Sequence, residues 1–452
     1  MLELKNKRVT VVGMGRSGVA ACRLLVREGA HVTLTDTKTD KELGPHLEQV
    51  SGMGIAIKLG GHDPEEFAGS DLIVLSPGVP ADIQPVRLAR ERDIPVIGEL
   101  ELAFCYLKAP VMGITGTNGK STTTALLGEI YKAQGRKVFV GGNLGTPLCE
   151  AVLSSVDWEV VVVEVSSFQL ETVHDFSPRV AALLNISPDH LDRYRDFQEY
   201  QEAKLRIFQK QTLQDHAILN WDDPTTEKLV ASGQITGRVH CFGRVRPPKE
   251  GMMIVGGYLV YRDSQTEWAV CKVEEIRIKG VHNLENAMAA SLMALVSECT
   301  PRVIVQALRA FPGLEHRLEF VREVRGVRYF NDSKGTNVGA VRMSLQSFRE
   351  PIILIAGGLD KGGDFSLLRD AIRQNVRQVI LIGQARDKFK KALGNSTPLM
   401  ECATLEEAVG FASRLGRSGD VVLLSPACAS FDMFQNFEER GRAFKEAVQC
   451  LQ

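Results

Sequence analysis

Short apolar runs rich in valine, isoleucine and leucine alternate along the chain with longer segments whose apolar residues recur at helical spacing. Between residues 8 and 98, the runs RVTVV, HVTLTD and DLIVLS are typical of strands. The segment VAACRLLVREG predicts a helix that ends at Gly29. This order of strand, helix and strand predicts a parallel sheet.

The same alternation returns twice. After residue 99 we predict a strand in PVMGITG, a helix in KSTTTALLGEIYKAQG that ends at Gly135, and buried parallel strands in KVFVGGN, WEVVVVEVSS and RVAALLNIS. Residues 232–280 indicate antiparallel hairpins, and HNLENAMAASLMALV indicates a helix. After residue 313, the runs PIILIAGGLD, QVILIGQA and VVLLSPACAS predict three more strands separated by helices.

A chain of 452 residues is too long for a single hydrophobic core. Its composition, with 44% apolar and 24% charged residues, is that of an ordinary globular protein. We therefore predict an α/β protein of three domains at residues 1–98, 99–313 and 314–452, each a mostly parallel sheet wrapped by helices.

Charge and cysteine content exclude several classes of protein. The formal net charge of −1 gives no general attraction to nucleic acids or anionic membranes. The nine cysteines are scattered without a C-x-x-C pair, which favours reduced thiols over disulfides or a zinc site. We expect no secretory leader, because the N-terminal residues form no apolar stretch of that kind, and no apolar run approaches the ~18 residues of a membrane-spanning helix. We expect a cytoplasmic protein.

A glycine-rich turn follows the first predicted strand in the pattern Gly13-x-Gly15-x-x-Gly18, and Asp36 ends the second strand. This is a dinucleotide-binding fingerprint, in which the backbone approaches a pyrophosphate and the acid binds a ribose. A turn that needs glycine only for packing would have the same pattern. The motif therefore indicates a diphosphate before it indicates NAD.

The strongest motif is VMGITGTNGKSTTT at residues 111–124. It departs from the phosphate-loop pattern G-x-x-x-x-G-K-[ST], because Ile114 stands where the first glycine is expected. Lys120 would still place its ammonium against the β- and γ-phosphates, and Ser121 or Thr122 would offer a hydroxyl to Mg²⁺. Because a strand precedes the loop and a helix follows it, we predict that it binds a nucleoside triphosphate.

Acidic residues and a histidine follow the next strands. Glu164 ends one strand, and Asp189, His190 and Asp192 follow another. Alone, Glu164 is more simply explained as a capped or solvated acid, and His190 as a histidine whose hydrogen bonds are satisfied. Together they favour a magnesium site, since ligands gather at the carboxyl ends of parallel strands.

Four other charged residues give weaker signals. Lys204 has no special spacing, and sequence alone predicts a solvated lysine on a helix. Arg317, Asp332 and Lys334 lie around the start of the third segment. Arginine suits phosphate contacts and aspartate suits ribose hydroxyls, but these residues could equally be surface charges at a domain boundary.

Two other classes of protein share part of this pattern. A dehydrogenase would explain the glycine turn and Asp36 but neither Lys120 nor the acids on later strands. A non-catalytic or motor-like phosphate-loop protein would explain Lys120, and it would hydrolyse nucleotide in response to a macromolecular partner.

Six segments occur in one order along nearly the whole chain: GTNGKST, EVSSFQLE, DHLDRY, GLEHRLE, NDSKGTN and SPACASFDMFQNFEERG. They resemble the Mur ligases, ATP-dependent enzymes of cell-wall precursor synthesis. The phosphate loop of that family runs G-T-N-G-K-[ST], which accounts for Ile114. The resemblance implies a Rossmann-like first domain, a central domain like phosphate-loop ATPases and a Rossmann-like third domain.

The resemblance also implies binding residues. Those for the UDP-linked substrate are Ser17, Asp36, Thr37, Gly78, Asn143 and His190, the last two reaching its muramoyl-alanyl portion. Those for ATP are Gly116, Thr117, Asn118, Gly119, Lys120, Ser121, Thr122, Asn283, Asn286, Arg317 and Asp332. Those for D-glutamate are Lys334, Thr336, Lys361, Ser430 and Phe437.

Two Mg²⁺ ions are implied, one held by Ser121 and Glu164 and the other by His190 and Lys204. Lys204 would be N-carbamoylated, which replaces an ammonium by an anionic oxygen ligand. The implied catalytic residues are thus Lys120, Glu164, His190 and Lys204. The implied reaction adds D-glutamate to UDP-N-acetylmuramoyl-L-alanine through an acyl phosphate and a tetrahedral intermediate, with release of ADP and phosphate. Its partners would be small molecules, and we expect a monomer.

Overall fold

The computed structural model describes residues 2–190, 193–394 and 396–452. Two compact units are present. The first comprises the chain up to Glu275 together with Glu285–Ala310, and the second comprises Ile276–Leu284 together with Phe311–Gln452. The first unit holds two sheets and the second holds one. The domain boundaries at residues 98 and 313 stay predictions.

The first sheet is formed by the N-terminal strands. They are β1 (Arg8–Val12), β2 (His31–Asp36), β3 (Ala56–Leu59), β4 (Leu72–Leu75) and β5 (Val96–Gly98). The helices are α1 (Arg16–Arg27), α2 (Asp40–Val50), α3 (Pro64–Ala68), α4 (Gln84–Arg90) and α5 (Glu99–Phe104). All strand pairs are parallel, in the order β3-β2-β1-β4-β5. The turns after β1 and β4 therefore meet at a topological switch point, where such sheets bind ligands.

The central sheet has nine strands. They are β6 (Val111–Thr115), β7 (Val138–Gly142), β8 (Val160–Glu164), β9 (Val180–Leu183), β10 (His216–Asn220), β11 (Arg238–Gly243), β12 (Gly251–Val255), β13 (Tyr258–Arg262) and β14 (Glu267–Lys272). Their order is β14-β13-β12-β11-β10-β9-β6-β8-β7.

The α-helices along this part of the chain are α6 (Lys120–Ala133), α7 (Leu148–Leu153), α8 (Ser167–Leu170), α9 (Phe197–Leu205), α10 (Pro224–Ala231), α11 (Val281–Val296) and α12 (Pro301–Ala310). Short 3₁₀ turns lie at Arg206–Phe208 and Val273–Glu275.

The predicted hairpins at residues 232–280 are only partly right. β12, β13 and β14 form an antiparallel meander, but β11 pairs in parallel with both β10 and β12. The crossover through α10 returns the chain for parallel pairing. In contrast, Gly256 and Gly257 have φ of 57° and 82°, which suits the two-residue turn of a hairpin between β12 and β13.

The sheet of the second unit has six strands. They are β15 (Glu319–Val324), β16 (Val327–Asn331), β17 (Ile352–Gly357), β18 (Val376–Ile382), β19 (Leu399–Glu401) and β20 (Val421–Leu424). The helices are α13 (Val338–Leu345), α14 (Arg369–Asn375), α15 (Arg386–Leu393), α16 (Leu405–Leu415) and α17 (Phe437–Gln449), with a 3₁₀ turn at Phe365–Leu368. The order is β15-β16-β20-β17-β18-β19, and only β15 runs antiparallel to its neighbour.

Buried strands of this sheet contribute to a core on each face. In β17, Ile352 and Leu354 belong to one hydrophobic cluster, while Ile353 and Ile355 belong to another. Successive side chains of a strand point to opposite faces, so a continuous apolar run fits a strand covered by helices on both sides. The fold class predicted from the alternating runs is confirmed.

Two further expectations concern chain chemistry. All nine cysteines are free thiols. Within the described residues, no helix combines the length and the apolar character needed to cross a membrane.

Candidate functional site

The loop after β6 is built around two glycines in the left-handed region. Gly116 and Gly119 have φ of 147° and 89°, conformations that other residues rarely adopt. A Cβ at position 119 would lie 2.2 Å from Oδ1 of the buried Asn286. Glycine is therefore required here both for backbone conformation and for space.

Residues after the neighbouring strand β9 and in helix α9 hold this loop in place. Asn185, which follows β9, accepts a hydrogen bond from the backbone N–H of Asn118 at 2.9 Å and donates one to its carbonyl at 3.0 Å. Thr117 Oγ1 lies 3.1 Å from the Tyr200 hydroxyl, and it accepts from Ser187 N at 3.0 Å. The sequence reasoning missed Asn185, although it stands at the end of a predicted strand beside the loop.

The Lys120 ammonium points back into the loop, where it donates to the carbonyls of Gly116 and Thr117, each at 2.9 Å. Ser121 and Thr122 are buried in the first turn of α6. Thr122 Oγ1 has no hydrogen-bond partner among the residues that the structure describes. An orphaned hydroxyl beside a glycine loop fits a ligand with oxygen or metal contacts.

Glu164 is the last residue of β8, and its side chain is only 3% exposed. The parallel register places Glu164 opposite Ile114, two residues before Gly116. Its Oε1 accepts a hydrogen bond from Asn143 Nδ2 at 2.7 Å. The structure thus holds a buried carboxylate beside the loop, and its role as a metal ligand stays a prediction.

Lys204 corrects the expectation of a solvated lysine, because it is only 2% exposed. Its ammonium donates to the carbonyl of Gly116 at 2.9 Å and lies 4.7 Å from the centre of the Tyr200 ring. Burial, reinforced by the charge of Lys120, holds the pKa of Lys204 well below its ordinary value. Asp189 and Glu164 counter only part of this shift.

Helix α9 carries Lys204 to this place. It begins at Phe197, where the Asp196 carboxylate accepts from Glu199 N at 2.9 Å and caps the helix. The residues around Lys204 show no apolar stripe at helical spacing, so no local pattern predicted its burial. Its burial results from contact with the phosphate loop.

His190 lies near the same cluster in a strained conformation, with φ of 55°. Its ring is 4.8 Å from that of Phe168 and 6.3 Å from that of Tyr200, centre to centre. Asp189 Oδ2 lies 3.8 Å from His190 Nε2. The structure thus groups Lys120, Glu164, His190 and Lys204, while Asp192 lies outside the described residues.

The switch point of the first sheet gathers four of the six residues predicted for the UDP-linked substrate, and the other two follow strands of the central sheet. Asp36 ends β2 and accepts from Met14 N at 2.7 Å and from Lys38 N at 2.9 Å, which fixes the turn after β1. A Cβ on Gly18 would lie 1.9 Å from the carbonyl oxygen of Gly13, so this glycine is required for packing.

The other members of this set lie on the accessible side of the same edge. The turn position Gly15 has no described atom within 4 Å of where a Cβ would stand. Ser17 is in the first turn of α1, Thr37 is exposed after β2, and Gly78 is exposed after β4. This arrangement leaves room for a ligand at the N-terminus of α1.

The second unit carries the remaining residues that were predicted to bind ATP. Asp332 follows β16, is 4% exposed and accepts the hydroxyls of Ser344 and Ser425, each at 2.7 Å. Burial raises its pKa, and the charge of Arg317 opposes that rise. Asn283 also belongs to this unit, where it donates to the Lys279 carbonyl at 2.8 Å.

Four of the five residues predicted for D-glutamate lie in the loops after β16 and β20 and at the start of α17. The Lys334 ammonium lies 5.3 Å from the centre of the Phe437 ring. Thr336 is half-buried and Ser430 is 3% exposed. Lys361 differs from the others in following β17, and it is exposed.

Arg440 is a further residue that the sequence reasoning missed. Its guanidinium is 1% exposed and donates to Ser333 Oγ at 2.9 Å and to the Ser333 carbonyl at 2.8 Å. It also donates to the carbonyls of Cys428 and Ala429 at 3.2 to 3.3 Å. Arg440 therefore ties the loop after β16 to the loop after β20, and its place in the segment NFEERG was the only available signal.

Comparison with known proteins relates the whole chain to one family. The models for the Mur ligase MurD-like N-terminal domain, the Mur ligase middle domain and the Mur ligase glutamate ligase domain match residues 7–98, 114–294 and 316–428. A UDP-N-acetylmuramoylalanine–D-glutamate ligase from Geotalea daltonii is 50% identical over 450 residues, covering 100% of this chain and 99% of the relative.

Solved structures share the fold at lower identity. A pseudomurein peptide ligase type C from Methanothermus fervidus has a TM-score of 0.63 and 22% identity, with 99% of this chain and 100% of that chain covered. The MurF ligase of Thermotoga maritima, solved in complex with ADP, has a TM-score of 0.59 and 19% identity, with 99% and 96% covered.

Proposed function

This chain belongs to the Mur ligase family, and we propose that it joins D-glutamate to UDP-N-acetylmuramoyl-L-alanine, with ATP converted to ADP and phosphate. The observation that carries this proposal is the 50% identity, over the whole chain, to a relative named for that reaction. The enzyme is accordingly an ADP-forming acid–amino-acid ligase of peptidoglycan precursor synthesis.

The chemistry explains the need for ATP. A carboxylate is a poor electrophile, so the alanyl carboxylate must first accept the γ-phosphoryl group as an acyl phosphate. The amine of D-glutamate then attacks the acyl carbon, and phosphate leaves from the tetrahedral intermediate. Lys120 would stabilise the charge that develops on the transferring phosphoryl group.

The residues of the central cluster fit a site for Mg²⁺. Oxygen ligands are those that Mg²⁺ prefers, and Ser121 with the buried Glu164 offers a hydroxyl and a carboxylate beside the loop. His190 and a carbamoylated Lys204 would hold a second ion. When bound, Mg²⁺ supplies positive charge against phosphate oxygens during phosphoryl transfer.

The carbamate on Lys204 is supported by electrostatics. The ammonium groups of Lys120 and Lys204 would both donate to the Gly116 carbonyl, which brings two like charges together in a buried place. The lowered pKa of Lys204 favours its neutral amine, which is the nucleophilic form. The amine nitrogen bonds to the carbon of CO₂ and loses a proton, so a carbamate anion faces Lys120 instead of a second cation.

The remaining predicted residues would bind the UDP-linked substrate, ATP and D-glutamate. The first sheet would bind UDP through Ser17, Asp36, Thr37 and Gly78, with Asn143 directed to the muramoyl-alanyl portion. The family resemblance also assigns Asn286, Asn283, Arg317 and Asp332 to ATP binding. Lys334, Thr336, Lys361, Ser430 and Phe437 would hold D-glutamate. We also propose that the enzyme is cytoplasmic and monomeric. Light scattering after size-exclusion chromatography tests the monomer by measuring its molar mass.

Phosphate release tests the proposed reaction. The full chain is incubated with ATP, Mg²⁺ and UDP-N-acetylmuramoyl-L-alanine, and candidate amino acids are added one at a time. Release that requires D-glutamate, and that fails with L-glutamate or a diamino acid, supports the proposal. Release with another amino acid would assign a sister reaction, and no release from folded protein would contradict the ligase proposal.

A further inference from the structure

A second cleft lies at the edge of the central sheet opposite to the phosphate loop. It has a volume of about 500 Å³. Its walls include Arg136, Arg179 and Arg238 together with His216 and Ser297, and Met112 and Val180 contribute apolar surface. Arg179 and Arg238 stand at the starts of β9 and β11, whereas the loop and Glu164 stand at strand ends. A five-residue strand spans ~16 Å, so the two sites are separate.

The arginines of this cleft are only partly neutralised. Arg179 contacts Asp215 Oδ1 at 3.3 Å, and the other oxygen of Asp215 accepts from the backbone N–H and the hydroxyl of Thr212. Arg238 uses Nε for the Leu213 carbonyl at 3.0 Å. Neither Arg136 nor Arg238 forms an ion pair within the described ranges, and the remaining acid of the cleft, Glu298, is exposed.

Two neighbouring histidines lie close to these arginines. His216 Nδ1 and His240 Nε2 are 2.9 Å apart, so one ring donates to the other and the two rings are not both protonated in this arrangement. Burial lowers the pKa of His216, and Arg179 and Arg238 lower it further. Burial, His216 and Arg238 lower the pKa of His240 to about 4. The arginine charges thus disfavour a further cation at this place, and a bound anion would offset their mutual repulsion.

We propose that this cleft binds a small oxyanion ligand, a molecule that carries a phosphoryl or carboxylate group on an apolar body. Guanidinium groups bind such oxyanions through paired N–H donors, and three of them surround one concave surface. The volume lies within the usual range for small-molecule sites. The inference does not depend on which amino acid the enzyme joins.

Isothermal titration of the full chain with inorganic phosphate, and separately with succinate, tests the site. The variants are K120A, which weakens anion binding at the phosphate loop, R136E/R238E, which reverses charge in the cleft, and the control R87E. Arg87 is exposed on α4, away from both sites. Thermal unfolding shows whether R136E/R238E is folded. If it is not, the double variant R136Q/R238Q, which only removes the two charges, is used in its place.

We expect binding to persist in K120A and in R87E, and to weaken at least about tenfold when the two cleft arginines are changed in the K120A background. Tighter binding of phosphate assigns a phosphoryl ligand, and tighter binding of succinate assigns a carboxylate ligand. Loss of all binding in K120A would overturn the inference, as would unchanged binding after the arginines are replaced.

Discussion

Replacing Arg440 by alanine should destabilise the second unit strongly. The five hydrogen bonds of the guanidinium join Ser333 to Cys428 and Ala429, and alanine would leave three buried carbonyls without these donors. Burial lowers the pKa of Arg440 to about 10, so the side chain is still charged at neutral pH. Leaving a buried hydrogen-bond acceptor without its donor costs about 1–3 kcal/mol, so the loss of these bonds should cost about 3–5 kcal/mol in total. For a unit of this size the unfolding midpoint should fall by roughly 10 °C.

Scanning calorimetry measures this effect, with R442A as the matched control. Arg442 is exposed on the same helix, and R442A should change stability by less than about 0.5 kcal/mol. R440K keeps the charge but loses the planar fork, so it should fall between the wild type and R440A. If R440A unfolds with the same midpoint as R442A, the two loops are held by other contacts and the reasoning is refuted.

Three further predictions concern Glu99, Lys204 and Asn185. Glu99 is 1% exposed, accepts from Cys149 N at 2.6 Å and has its pKa raised by burial from 4.5 to about 7. The protonated Glu99 contributes to stability below pH 4.5, and this contribution is lost as pH rises towards 7. Urea unfolding at a series of pH values should therefore show that E99Q removes roughly 3 kcal/mol of the pH dependence of the free energy of unfolding. An unchanged pH profile would contradict this. K204A should lower kcat roughly a hundredfold or more, while K210A, at an exposed lysine, should not; equal activities would argue against a role for Lys204. N185A should raise KM for ATP about tenfold and leave KM for D-glutamate unchanged, because Asn185 holds Asn118 of the phosphate loop through two hydrogen bonds. Equal increases in the two KM values would indicate a general loss of structure and contradict this prediction.

The sequence was sufficient for the fold class and for residues whose position follows from a strand end. Glu164 and Asp36 end parallel strands, and the register of those strands brings each beside a glycine turn. Such positions can be read from a local pattern, because the carboxyl ends of parallel strands share one edge.

Residues whose environment is set by distant segments could not be predicted in this way. Lys204 is buried because α9 packs against a loop 88 residues earlier in the chain. Arg440 is buried by Ser333, which lies 107 residues before it. No local periodicity reports such contacts, and both side chains belong to types that are usually exposed.

The pairing of β11 was mispredicted for a related reason. Apolar runs of similar length form both parallel and antiparallel strands, and only the connection decides the direction. Of the elements β10, α10 and β11, only β11 falls within residues 232–280, where the glycine pair before β13 favoured a prediction of hairpins.

The most direct test of the central claim is a competition experiment. The enzyme, ATP, Mg²⁺ and UDP-N-acetylmuramoyl-L-alanine are mixed with equal amounts of D-glutamate, L-glutamate, L-alanine and a diamino acid, and the UDP-linked products are identified by mass spectrometry and chiral analysis. The account predicts a single product that contains D-glutamate. A product that carries any other of these amino acids, or none from active and folded enzyme, would contradict it.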